Sequence, residues 1–212
     1  MTEPGSGRFI TLEGGEGAGK STQIARLKGK LEQGGHAVVA TREPGGAPGA
    51  EMVRKLLVEG PTERWDGTTE ALLHFAARRD HLRSTVWPAL KRGAWVISDR
   101  FADSTVAYQG YGYGVDRAML GKLYGIAVGD FRPDLTLILD LPVEIGLGRA
   151  AARRGSETRY ESLPADFHGR VRAGFLDIAA ADPERCIVID ATRDIETVAA
   201  AITAAVHARL GA

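Results

Sequence analysis

Eight consecutive residues, Gly14-Gly15-Glu16-Gly17-Ala18-Gly19-Lys20-Ser21, fit the spacing G-x-x-x-x-G-K-S, whose chemistry is the capture of phosphate. The glycines let successive backbone N–H groups turn inward around an anion, and a following helix adds the partial positive charge of its N-terminus. In that setting Lys20 reaches the β- and γ-phosphates of a nucleoside triphosphate and the Ser21 hydroxyl ligates Mg²⁺, the nucleotide-binding run ending at Thr22. A second charged group, Asp99-Arg100-Phe101, stands directly after an apolar run. Asp99 falls where a P-loop fold keeps the carboxylate that holds Mg²⁺ through water, and Arg100 then points into the same crevice. Arg54 and Arg79 are further candidate phosphate partners, although each alone also reads as a solvated helix charge, and Asp99 as half of a salt bridge at a strand end.

The elements that must position these groups are legible as periodicity. Five short apolar runs, Phe9–Glu13, Ala37–Thr41, Ala94–Ser98, Leu135–Leu139 and Cys186–Asp190, are β-branched and do not alternate, which suits strands covered on both faces. Between them lie helical stripes: Ile24, Leu27 and Leu31; Phe167, Val171, Phe175 and Ile178; Ile195, Val198, Ile202, Val206 and Leu210. Strands alternating with helices predict an α/β, three-layer P-loop fold with a parallel sheet, whose ligands bind beyond the carboxyl ends of the strands. One unit covering residues 1–212 is expected, with residues 1–8 frayed. Two loops stand out: Arg42–Gly49, too rich in Gly and Pro for a helix, and Arg153–Pro164, a polar, basic flap.

Composition limits the function classes. Twenty-seven Lys+Arg against twenty-seven Asp+Glu leave no net charge, so nothing drives non-specific nucleic-acid binding and any anion site must be local. No apolar run is long enough to span a membrane, and the N-terminus lacks the apolar core of a secretion signal. A single cysteine, Cys186, cannot form an internal disulfide and fits a reducing compartment, so a cytoplasmic protein is expected. None of the six lysines is followed two residues later by Asp, which removes the guanine-reading signature of GTPases. The five histidines are scattered and form no nucleophile–base pair with the P-loop or Asp99; His74 is expected in the core or at the surface. A phosphate acceptor needs no base, because its second pKa is about 6 and it is already largely ionised.

The motifs EGGEGAGKS (Glu13–Ser21), TREPGG (Thr41–Gly46), FAARR (Phe75–Arg79), DRFADSTVAYQG (Asp99–Gly110), GDFRPDLTLILD (Gly129–Asp140) and Arg159-Tyr160-Glu161, in this order from about Phe9 to Leu210, resemble the bacterial thymidylate kinases. The resemblance implies a five-stranded parallel sheet with helices on both faces and transfer of the γ-phosphoryl of ATP to dTMP. It implies that Phe75 stacks on thymine and Arg79 bonds its O4, with Ser104, Thr105 and Gln109 along the base and Tyr108 against the 2′ carbon. It also implies that Arg54 and Arg100 hold the acceptor phosphate, that Glu16 faces the sugar 3′-hydroxyl and the Mg²⁺ region, and that Glu43-Pro44 forms a turn beside the acceptor. A homodimer is implied as well. In one type of the family a catalytic arginine sits in the P-loop; Gly17 occupies that position here, so the resemblance moves it to the flap, or LID, at Arg153 or Arg154. From Arg149 to Arg159 four arginines face Glu157, a local positive charge suited to a transferring phosphoryl group. The alternatives are another small P-loop kinase, acting on a different monophosphate or on a nucleoside, and an ATP-binding protein that regulates a partner.

Overall fold

The computed structural model describes residues 7–152 and 159–211. Five parallel strands, β1 (Phe9–Glu13), β2 (Val38–Arg42), β3 (Trp95–Asp99), β4 (Leu135–Asp140) and β5 (Cys186–Asp190), form one sheet in the order β2-β3-β1-β4-β5. β1 and β5 coincide with the expected runs. β2 and β3 each lie one residue later, because their pairing starts where the Trp95 N–H reaches the Ala37 carbonyl at 2.8 Å. The helices are α1 (Lys20–Gln33), α2 (Pro48–Val58), α3 (Gly67–His81), α4 (Trp87–Lys91), α5 (Ala102–Thr105), α6 (Arg117–Ala127), α7 (Val143–Ala151), α8 (Ala165–Ala181) and α9 (Ile195–Leu210). π-helical turns at Leu82–Val86 and Val106–Gly112 continue α3 into α4 and lengthen α5.

Both faces of the sheet are covered, which is why its strands read as unbroken apolar runs. Successive side chains of a strand point to opposite faces. Ile10 and Leu12 of β1 pack with the stripes of α1 and α9, whereas Phe9 faces Ala71, Phe75, Val86 and Leu120 on the other side. Ile138 of β4 meets Phe167, Val171 and Phe175 of α8. The chain leaves β1 for a helix on one face and leaves β3 for helices on the other, so a crevice opens between their carboxyl ends, as expected of a switch in strand order.

Two expectations about loops change. Pro48 and Gly49 open α2, because a proline's fixed φ and missing N–H suit the first helical turn; the irregular stretch is confined to 43–47. Arg8 is anchored, its guanidinium 3.2 Å from Asp134 and its carbonyl accepting from the Val96 N–H at 2.7 Å. The remaining residues expected to fray, 1–6, and flap residues 153–158 lie outside the described residues. Among the described residues no helix is long and apolar enough to cross a membrane.

Candidate active site

A cleft of about 540 Å³ occupies the crevice, lined on one side by Glu16 to Ser21 and on the other by residues of β2, α2, α3, α5 and the flap residues Tyr160 and Glu161. Lys20 lies at the start of α1 and folds back to donate to the carbonyls of Gly14 (3.2 Å) and Gly15 (2.9 Å). Burial, then the nearby Arg100, lowers it to about 8, so it remains mainly a cation at neutral pH. Gly14 and Gly17 have φ of 131° and 66°, where side chains are strained. A Cβ at Gly17 would also sit 2.0 Å from the Gly146 carbonyl oxygen, and one at Gly146 would sit 2.5 Å from that of Glu16. Loop and α7 therefore touch backbone to backbone, and the position of the alternative P-loop arginine has no room for a side chain. The Ser21 hydroxyl donates to Asp99 Oδ2 at 3.1 Å, joining the two expected metal-facing residues. A hydroxyl beside a carboxylate fits Mg²⁺, which takes one or two protein oxygens and completes its shell with phosphate and water.

Arg100 is the centre of the arrangement. Its guanidinium donates to the Gly14 carbonyl (2.9 Å), Ser104 Oγ (3.1 Å), Glu16 Oε1 (3.0 Å) and Tyr108 OH (3.0 Å). Its φ is 69°, the single positive value outside glycine among the described residues. The turn is held from both sides: Ser98 Oγ donates to the Arg100 carbonyl at 2.7 Å, and the next N–H, that of Phe101, donates to Glu13 Oε1 at 2.7 Å. Burial, reinforced by Asp103, pushes Glu13 up to about 7. Glu16 goes the other way. Burial alone would raise it, but Arg100, Lys20 and the Tyr108 hydroxyl (2.7 Å) outweigh that and hold it at about 2. Repulsion between the Glu16 carboxylate and a bound phosphate is thus offset by the Arg100 and Lys20 cations beside it.

On the opposite side α3 carries Glu70, His74 and Arg78 at four-residue spacing along one face of the helix, with Glu70 buried behind the wall. Here the expected base contacts are corrected. Phe75 is 5% exposed and belongs to the core beneath the cleft, and Arg79 points outward to the Ala127 carbonyl (3.2 Å) and over the Trp87 ring. Each residue turns a helix by about 100°, so the face carrying Phe75 and Arg79 is one step away from the cleft. His74 and Arg78 line it instead. Arg78 is fixed on Glu43 Oε2 (2.7 Å), the Phe101 carbonyl (3.0 Å) and Thr105 Oγ1 (3.1 Å). Its Nη1 is buried with no partner among the described residues, and so is Gln109 Oε1. Burial, then Arg78, Arg100 and other arginines, lowers His74 to about 3, leaving it neutral. Sequence reasoning missed His74, Arg78, Glu70 and Tyr160. The signal was the four-residue repeat of polar residues on α3.

The other expected residues are brought together. Arg54 lines the cleft and donates to the Pro44 carbonyl at 2.6 Å. The Glu43–Pro44 peptide is cis, and Glu43 also meets His81 Nδ1 at 2.9 Å, so Glu43 braces Arg78 from behind. Ser104, Thr105, Tyr108 and Gln109 repeat along α5 and its π-helical extension and share the cleft wall; π turns are frequent at functional sites. Two of the four arginines counted around the flap have partners elsewhere in the fold. Arg159 is buried and donates to the carbonyls of Leu57, Pro61 and Thr62 and to Glu70 Oε1, and Arg149 donates to the Ala191 carbonyl at 3.2 Å. Arg153 and Arg154 lie outside the described residues.

A family model described as thymidylate kinase matches residues 12–202. A thymidylate kinase of Caulobacter vibrioides is 55% identical over 205 residues, 97% of this chain and 98% of that protein. One from a Bradyrhizobium species is 52% identical, covering 98% of this chain and 92% of its own. A crystal structure of thymidylate kinase from Ehrlichia chaffeensis superimposes with a TM-score of 0.78 at 35% identity, over 95% of this chain and 99% of that one.

Proposed function

The chain belongs to the thymidylate kinase family, and from that we propose that its cleft transfers the γ-phosphoryl group of ATP to dTMP, releasing ADP and dTDP. The observation that carries the choice of acceptor is a complementary pair of buried, unpartnered atoms on two residues that line the cleft, the donor Arg78 Nη1 and the acceptor Gln109 Oε1. Thymine offers the matching edge, an O4 that accepts and an N3–H that donates. Buried polar groups left unpaired disfavour binding of a base with the reverse pattern.

The residues divide the work. Gly14 to Thr22 cradle the triphosphate, and Lys20 neutralises its β- and γ-phosphates as their charge shifts. Arg54 and Arg100 hold the acceptor phosphate in line, and the neutral His74 ring offers a face to the base. Tyr108, fixed through its hydroxyl to Glu16 and Arg100, has the role of excluding a 2′-hydroxyl. The attacking oxygen is already ionised at neutral pH, so none of these groups has to remove a proton. Mg²⁺ held by Ser21 and Asp99 would neutralise the β- and γ-oxygens. The steric block at Gly17 supports assigning the arginine of the transferring phosphoryl group to the flap, at Arg153 or Arg154. The protein acts as a single cytoplasmic kinase unit and pairs as a homodimer. The exposed Met52, Leu72 and Ile126, on α2, α3 and α6, support that pairing, because α2 and α6 both pack against α3.

ADP release measured with ATP, Mg²⁺ and each of dTMP, dUMP, UMP, dCMP and AMP tests the reading. Turnover highest with dTMP supports it. Turnover highest with AMP, or ATP hydrolysis indifferent to every monophosphate, refutes it.

A further inference from the structure

Glu70 is wholly buried on α3 and does not line the cleft, yet two groups that do line it end on its carboxylate. Its Oε2 accepts from Gln109 Nε2 at 2.8 Å and from the Tyr160 hydroxyl at 2.9 Å, while Oε1 accepts from Arg159 Nη2 at 2.5 Å. With the Arg159 guanidinium held against it, this carboxylate only accepts hydrogen bonds. The end of the Gln109 amide that faces it must therefore be the NH₂, and the amide oxygen is turned away from Glu70; on this cleft-lining residue Oε1 is buried without a partner among the described residues.

We propose that Glu70 is the positioning residue that makes the cleft select a pyrimidine protonated at N3: by fixing the Gln109 amide, it presents an acceptor to the N3–H of thymine. A reversed amide would set oxygen against the Glu70 oxygens and offer the cleft an NH₂, the partner for the bare N3 of cytosine. The orientation therefore stabilises the correct base and disfavours the wrong one with a single side chain. The same carboxylate sets a second polarity. Because the Tyr160 hydroxyl gives its proton to Glu70, its oxygen can only accept from His74 Nε2, 3.1 Å away, which fixes the imidazole tautomer beside the base.

The inference rests on dTMP being the acceptor, and the test separates the two. ADP release gives kcat/KM for dTMP and for dCMP in the wild type, Glu70→Gln, Gln109→Ala and the double variant. A glutamine at position 70 can offer Gln109 either an oxygen or an NH₂, so the dTMP/dCMP ratio should fall roughly tenfold. Gln109→Ala should lower it similarly, and the double variant no further than Gln109→Ala alone. Equal losses on both nucleotides, with the ratio unmoved, would mean that Glu70 only anchors Arg159, and would overturn the inference; so would losses in the ratio that add in the double variant. Should Glu70→Gln fail to fold with Arg159 left unpaired, Glu70→Gln/Arg159→Gln is compared with Arg159→Gln by the same criterion. A wild type inactive on dTMP refutes the kinase reading itself, and this inference falls with it. A wild type that uses dTMP and dCMP equally refutes this inference alone.

Discussion

Arg78→Lys keeps a positive charge beside Glu43 and removes the planar fork that carries it. In the native protein Nε and Nη2 are occupied by Glu43, the Phe101 carbonyl and Thr105, which leaves Nη1, buried without a partner among the described residues, as the donor proposed for thymine O4. A lysine has its donors on one atom and cannot hold Glu43 while reaching the base. The lost hydrogen bond from a charged donor is worth about 1.5–3 kcal/mol, and at 1.36 kcal/mol per decade kcat/KM for dTMP should fall roughly 10- to 150-fold. The two further bonds from Nη2 contribute on the order of 2 kcal/mol to stability, so Tm should drop roughly 4–8 °C in a chain of this length. The companion variant Arg79→Ala removes only a carbonyl contact and a ring contact with Trp87, and its kcat/KM should stay within about twofold of wild type. Steady-state ADP release and a thermal melt measure both. A tenfold loss in Arg79→Ala with Arg78→Lys nearly intact would refute the assignment of the cleft face of α3.

Three more outcomes follow from the charges. Lys20, lowered to about 8, loses its proton as pH rises through that value, so kcat/KM for ATP should decline above pH 8; a flat profile to pH 9.5 would contradict the role given to its charge. His74, lowered to about 3, should show no titration of its ring proton shifts between pH 5 and pH 8 by NMR, and an inflection near 6.5 would place it in water instead. Replacing Arg153 and Arg154 together should depress kcat by about 10³-fold or more while nucleotide affinity changes little; an effect confined to KM would remove the flap from the chemistry.

The parallel sheet and the phosphate loop were legible because their signals are local. Gly14 to Ser21 must adopt one backbone path to surround an anion, and a strand buried on both faces must be apolar throughout. The rest was harder for a geometric reason. Phe75 and Arg79 sit beside His74 and Arg78 in sequence, and only packing decides which face of α3 turns toward the sheet's edge. Phe75 contributes more by burial against Phe101 and Leu120 than by meeting a ligand, and that rotates His74 into the cleft. Arg159 read as flap charge, yet its carbonyl partners on the segment before α3 are about 100 residues away in the chain and leave no local trace. The Gln109 orientation was invisible for the same reason.

The backbone contact between Gly17 and Gly146 has a bearing on how such enzymes can be redesigned. Placing an arginine at position 17 of the nucleotide loop is a one-letter edit on paper, but its first side-chain carbon would collide with a peptide of a helix more than a hundred residues downstream. Nor does Gly146 tolerate a side chain of its own, since its first carbon would meet the Glu16 carbonyl of the loop. The two positions form an interlock, and a lineage changing between the two catalytic layouts has to separate these segments before the new arginine can fit.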